Sequence, residues 1–196
     1  MTQSAKPVAV NERLRFSPTP LAGLQIVDRI ALTDARGWFE RSFCLDTFQQ
    51  AGLAHAITQI NRTKTLLKGS LRGMHYQNPP FAEAKVVSCL QGEVFDVAID
   101  LRHGSPTFLQ WHGEVLSADN RRSLLIPEGF AHGFQTLTDD VEMLYFHTAN
   151  YAPTAAAGVN ALDPQLAIRW PLPLTEVSEQ DKNMPLMPPN FEGTRL

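Results

Sequence analysis

The feature that most constrains this chain is a run of short β-prone segments, each closed by a turn signal. They fall at 55–63, 70–77, 84–90, 93–101, 107–117, 122–126, 131–137 and 140–148. Lys68-Gly69, Pro79-Pro80, Gln91-Gly92, Gly104-Ser105-Pro106, Asp119-Asn120 and Asp139-Asp140 separate them. Glycine and proline supply the backbone angles that reverse a chain, and Asp or Asn bonds back to its own turn. Many short strands with frequent turns predict an all-β protein, an antiparallel sandwich or barrel. Upstream, Leu24-Gln25-Ile26-Val27 begins a strand, and 37–43 continues as another after the Arg36-Gly37 turn. Asp46 is placed to cap a short helix that ends near Gly52. Residues 1–20 carry mixed polar residues and prolines and suit an arm; 21–196 suit one domain, with a proline-rich tail from 162 that wraps the barrel.

The length of 196 residues permits one domain with a sizeable core. Hydrophobic residues make up 43% and charged residues 19%, a globular composition. The net charge is −3 and no Lys/Arg run stands out, which argues against a nucleic-acid partner. A small anionic ligand held by a few arginines fits this balance. Cys44 and Cys89 lie far apart with no CxxC pair, so reduced thiols in the cytoplasm are expected. No signal peptide is recognisable, and no apolar stretch approaches the roughly 18 residues of a membrane helix.

Strand 93–101 alternates: Phe95, Val97, Ile99 and Leu101 share one face, Asp96 and Asp100 the other. Those carboxylates face either solvent or a polar cavity, because an unpaired charge inside a small barrel is costly. In Leu71-Arg72-Gly73-Met74-His75-Tyr76-Gln77, strand alternation puts Arg72 and His75 on opposite faces unless the strand bulges at Gly73. Ile126 to Gly133 forms a Pro-x-Gly turn leading to His132, as in the second motif of cupin jelly rolls. Metal-binding cupins also need a His-x-His and a Glu; here the region reads His75-Tyr76-Gln77, so no metal site is expected.

Several blocks then combine. Residues 71–77, Lys85, 92–100, Ser105-Pro106-Thr107-Phe108 and 126–133 follow in order and spacing the pattern of the dTDP-4-dehydrorhamnose 3,5-epimerases. Asp34-Ala35-Arg36-Gly37, Gln59-x-Asn61 and Tyr151-Ala152-Pro153 extend a resemblance that covers about 24–187. The resemblance implies a cupin-type jelly roll that forms a homodimer in which each subunit lends residues to the other. It implies no cofactor and a nucleotide-linked 4-keto-6-deoxyhexose as substrate. The C4 ketone acidifies C3 and C5, a base leaves an enolate, and reprotonation on the other face inverts the centre. Such chemistry needs a base, a donor or cation at the enolate oxygen, and an acid opposite.

By resemblance, His75 is the base, Asp181 its orienting carboxylate, Lys85 the enolate stabiliser and Tyr145 the acid. Arg72 and Arg36 would hold phosphates and sugar, His132, Gln59, Asn61 and Tyr151 would line the pocket, and Phe39 would pack on the base. Taken alone, the same residues admit plainer roles. Ser178-Glu179-Gln180-Asp181 is also a capping-box pattern, Tyr145 sits in an apolar run, Tyr151 precedes a proline turn, and Lys85 starts a strand. The chain departs from the family pattern in Arg41, where a Glu is common, and in Gln180, Phe146 and Ala156. An Arg donor at 41 suits cytosine N3 better than thymine N3–H, so the nucleotide stays open between dTDP and CDP. Whether C3, C5 or both are inverted is open as well. A 3,4-ketoisomerase on the same substrate, a metal-dependent cupin oxygenase and a non-catalytic sugar-nucleotide binding module are the competing readings.

Overall fold

A computed structural model describes residues 8–11 and 13–196. In chain order the first elements are β1 (Val8–Asn11), β2 (Leu14–Pro18), β3 (Gln25–Arg29), β4 (Leu32–Asp34), β5 (Gly37–Phe39) and α1 (Leu45–Gln50). Eight strands follow: β6 (Gln59–Thr65), β7 (Leu71–Gln77), β8 (Lys85–Gln91), β9 (Glu93–Asp100), β10 (Trp111–Ser117), β11 (Arg122–Ile126), β12 (Phe130–Thr136) and β13 (Val141–His147). The chain closes with β14 (Ala156–Gly158) and α2 (Glu179–Lys182). Among the described residues β1, β2, β3, β11, β8, β13 and β6 form a seven-stranded sheet, and β10, β9, β12, β7 and β14 a five-stranded one. All named pairings are antiparallel. The two sheets face each other as a cupin-type jelly roll, the expected class.

Alternation assigns each strand's two sides to different layers. Val87, Cys89, Leu124, Met143 and Tyr145 meet Val94, Ala98, Phe130 and Phe134 in the core between the sheets. Val86, Leu125 and Phe146 point the other way and pack with Phe48 of α1 on the outer face of the seven-stranded sheet. Val97, Ile99 and Leu101 pack under Val159, Ala161, Leu166 and Met187 of the tail. The tail therefore covers the five-stranded sheet, which is why strand β9 is buried on both sides. Each such apolar side chain contributes about 1.5–3 kcal/mol relative to exposure.

The alternative left open for Asp96 and Asp100 is decided by this layering. Both carboxylates point away from the tail-covered face and are fully buried. Asp96 pairs with His132. Asp100 accepts from Arg102 Nε at 2.8 Å, Ser105 Oγ at 2.5 Å and Thr107 Oγ1 at 2.6 Å.

Some boundaries differ from the sequence expectation. Of the residues read as an arm, 1–7 and 12 lie outside the described residues, while β2 pairs with β3 and buries Leu14 and Phe16. The strand expected at 37–43 stops at Phe39. The one expected at 107–117 starts at Trp111, because Phe108 and Gln110 bond back into turns. Cys44, rather than Asp46, occupies the N-cap position of α1, and Asp46 lies in the first turn; there a carboxylate meets the positive end of the helix dipole.

Candidate active site

One cavity of about 400 Å³ opens between the sheets, lined among others by Asn61, Thr63, Arg72, His75, Lys85, His132, Tyr145, His147, Ser178, Gln180 and Asp181. Its lining follows strand parity. On β13, Tyr145 and His147 face in while Phe146 faces out and stacks on Phe43. On β8, Lys85 faces in and lies opposite His147. On β6, Asn61 and Thr63 share the inward face.

Strand β7 breaks parity within the stretch that lines the cavity. His132 pairs with His75 and Phe134 with Arg72, so two steps on β12 span three on β7. The extra residue is a bulge, and it brings Arg72 and His75 to the same cavity. Gly73 makes this possible with φ +121°, where a Cβ would sit 2.6 Å from Gly133 Cα. The condition attached to residues 71–77 is thus met at the glycine itself.

Helix α2 delivers the carboxylate. Asp181 Oδ1 lies 2.7 Å from His75 Nε2, and Oδ2 accepts from Gly73 N–H at 3.2 Å. The backbone N–H of Asp181 donates to Ser178 Oγ at 3.1 Å. Capping and pairing coexist: the main chain of Asp181 closes the cap while its side chain reaches His75. Asp181 is 6% exposed and His75 43%. Burial alone would raise the Asp181 carboxyl, but the bond and charge of His75 and the Gly73 N–H outweigh it and hold it below the usual range. With Nε2 bound to a carboxylate, His75 Nδ1 is left without a hydrogen bond among the described residues, and in the neutral ring it is the lone-pair nitrogen.

The facing wall has a different character. Burial drives the Tyr145 phenol well up from its ordinary value, so it stays protonated. Its hydroxyl lies 3.4 Å from Thr63 Oγ1. Lys85 Nζ sits 3.1 Å from Glu83 Oε1, so the lysine is not a surface residue; both side chains are 9% exposed. Burial opposes ionisation of Glu83, but His147 and Lys85 overcome it and hold its carboxyl low. His132 Nε2 contacts Asp96 Oδ2 at 2.9 Å; burial pushes the Asp96 carboxyl up and His132 pulls it back. Arg72 Nε donates to Thr65 Oγ1 at 2.9 Å, aiming the guanidinium along β6.

Of the residues singled out in the sequence, the cavity gathers His75, Asp181, Lys85, Tyr145, Arg72, His132 and Asn61. It does not gather Arg36, Phe39, Arg41, Gln59 or Tyr151. Gln59 lies one pleat beyond Asn61 and accepts from Tyr151 N–H at 3.1 Å, which ties those two together at the rim. Arg36 and Phe39 stand on the β4–β5 hairpin, which pairs only with itself. Trp38 and Phe39 are 59% and 58% exposed there. Arg41 is exposed beyond the hairpin. Sequence reasoning missed Thr63, His147 and Glu83. The signal was available for two of them, since His147 stands two residues from Tyr145, and Glu83 two from Lys85. Among the described residues no three His, Cys, Asp or Glu side chains converge as metal ligands, and no helix is long and apolar enough to cross a membrane.

Comparison with known proteins gives the family. The family model described as dTDP-4-dehydrorhamnose 3,5-epimerase matches residues 18–188. A dTDP-4-dehydrorhamnose 3,5-epimerase of Shigella flexneri is 42% identical over 166 residues, 84% of this chain and 91% of its own. The crystal structure of the Bacillus anthracis enzyme of that name, with TDP and PPi bound, superposes with a TM-score of 0.86 at 36% identity, covering 89% of this chain and 99% of that one. A dTDP-6-deoxy-D-glucose-3,5-epimerase of Legionella pneumophila, in complex with dTDP-4-keto-L-rhamnose, gives 0.84 at 40% identity, covering 89% and 93%. With the motifs, the fold and the relatives in agreement, this chain belongs to the dTDP-4-dehydrorhamnose 3,5-epimerase family.

Proposed function

We propose that this protein inverts C3 and C5 of a dTDP-linked 4-keto-6-deoxyhexose. The observation that carries the reading is the His75–Asp181 pair facing the buried Tyr145 from the opposite sheet across one cavity. In this reading His75 Nδ1 takes the proton made acidic by the C4 ketone. Asp181 orients the ring and stabilises the imidazolium that forms. Lys85 neutralises the developing enolate oxygen, a preorganised charge in a site sheltered from water. Tyr145, kept protonated by burial, donates from the other face. Arg72 holds the phosphates, and His132, fixed by Asp96, lines the sugar pocket. Nothing is required of a cofactor, because the substrate's own ketone is the electron sink.

The same reading assigns Arg36, Phe39 and Arg41 to the cavity of a second copy. A hairpin paired only with itself, bearing two large exposed aromatics and Arg36, suits insertion into a partner. The protein is then a homodimer whose sites are each built from two chains, with Gln59 and Tyr151 at the mouth. The free thiols of Cys44 and Cys89 fit a cytoplasmic enzyme.

The test is incubation with dTDP-4-keto-6-deoxyglucose in D₂O, with NMR of C3 and C5. Solvent deuterium at both carbons, lost in His75→Ala, is the expected result. Absence of label with wild-type protein would defeat the reading. Incorporation from the CDP sugar but not the dTDP sugar would overturn the nucleotide.

A further inference from the structure

A second histidine–carboxylate pair lines the cavity, and the reaction above leaves it without a task. His147 Nδ1 lies 2.9 Å from Glu83 Oε2, with the side chains 12% and 9% exposed. The other oxygen of Glu83 meets Lys85 Nζ. His147 Nε2 lies 3.4 Å from Asn61 Nδ2, and both residues line the cavity. The build repeats that of His75 and Asp181: one ring nitrogen fixed by a carboxylate, the other left toward the cavity wall. The two pairs belong to opposite sheets, since β7 carries His75 and β13 carries His147. Lys85 alone would neutralise Glu83. A histidine adds a second ring nitrogen, a donor when the ring is charged and an acceptor when it is neutral.

His147 also has a defined relation to Tyr145. They are two residues apart on one face of β13, about 6.8 Å along the strand, with rings stacked at 6.1 Å between centroids. Inverting two carbons that flank a ketone needs a proton delivered at two places on the face opposite the base, and Tyr145 offers one hydroxyl.

Resting on the epimerase reading above, we propose that His147 is the second proton donor: Tyr145 reprotonates one of the two carbons and His147 the other, with Glu83 positioning the ring. The Nε2–H bond of the charged imidazole breaks. Its proton and the enolate's carbon–carbon electron pair form the new C–H bond, and the C4 carbonyl is restored. The ring is left neutral with Nδ1–H on Glu83, and solvent returns the proton. Asn61 Nδ2, 3.4 Å from Nε2, can donate to the neutral ring left after transfer; a half-turn of that amide offers its oxygen to the charged ring.

The experiment follows inversion at C3 and C5 separately, by NMR coupling patterns, for wild type, His147→Gln, Glu83→Gln and Tyr145→Phe, with melting temperatures as a folding control. His147→Gln should lower inversion at one carbon by about a hundredfold or more and leave the other within about threefold. Glu83→Gln should weaken inversion at that same carbon, and Tyr145→Phe should strike the other. Equal loss at both carbons in His147→Gln, or an unchanged ratio, would overturn the assignment, as would a wild-type enzyme that inverts one carbon only. Wild-type protein that labels neither carbon in D₂O would instead bring down the epimerase reading, and this inference with it.

Discussion

Replacing Asp181 with asparagine removes one charge and leaves the shape of the side chain. The Gly73 N–H, which now donates to Oδ2 at 3.2 Å, keeps the amide oxygen on its side. The amide NH₂ then faces His75 Nε2, where a carboxylate oxygen stood at 2.7 Å. Two donors cannot share that contact, so the ring proton moves to Nδ1 and the cavity nitrogen loses its lone pair. Losing a hydrogen bond to a charged partner costs about 1.5–3 kcal/mol, one to two decades in rate. The misplaced tautomer adds to this, and carboxylate-to-amide changes in His dyads of hydrolases reach about 10⁴. We expect kcat to fall about 10³–10⁴-fold, or roughly 4–5.5 kcal/mol. A stability loss of about 1 kcal/mol would lower Tm by about 2–4 °C in a chain of this size. The assay is deuterium uptake at C3 and C5, with calorimetry alongside. An Asp181→Asn protein that folds normally and keeps more than a tenth of the wild-type rate would refute the dyad.

Three other outcomes are expected. Gly73→Ala forces a Cβ to within 2.6 Å of Gly133 Cα and 2.8 Å of His132 O at a φ of +121°; it should cost at least about 2 kcal/mol and abolish activity, checked by urea unfolding. The Asp181 and Glu83 carboxyls are held below their ordinary values in the folded protein, so their stabilisation is complete above the unfolded value of about 4 and lost as pH falls through the folded values; Asp181→Asn should flatten the stability curve below about pH 4. If hairpin and cavity come from different copies, inactive His75→Ala and Arg36→Ala proteins, mixed after reversible dissociation, should regain about a quarter of wild-type activity, since about half the dimers carry one intact site of two; no recovery from a verified mixed dimer would refute the exchange.

The class of fold was legible because turn chemistry is local: glycine, proline and aspartate mark reversals whatever surrounds them. Strand ends were less legible. The segment 107–110 is β-prone, but Asp100 takes the Thr107 hydroxyl and its main chain bonds Leu109, so tertiary contacts hold it as a turn. Phe16 and Leu14 were hidden among polar neighbours, and only pairing with β3 reveals them as core. The His75–Asp181 pair joins residues 106 apart, which no local pattern announces; the capping box at Ser178 gave the position of Asp181 but not its partner. Alternation did announce the face of Asp96 and Asp100, yet not which face was inner, because that depends on the tail that covers the outer one.

Strand β13 carries the same logic into function. Phe146, one of the departures from the family pattern read in the sequence, points outward against Phe43 and the α1 layer. A change there alters packing and leaves the chemistry alone. Its neighbour His147 points inward beside Tyr145, with Glu83 and Lys85 behind it. Parity alone separates the two, and it sorts departures from the family pattern into those that repack a layer and those that meet the substrate. Under the proposed reaction that criterion assigns the stereochemical outcome to the inward residues of β13 and β8. Arg41 is exposed and outside the cavity of its own chain; in the two-chain site proposed above it belongs with the nucleotide of a second copy.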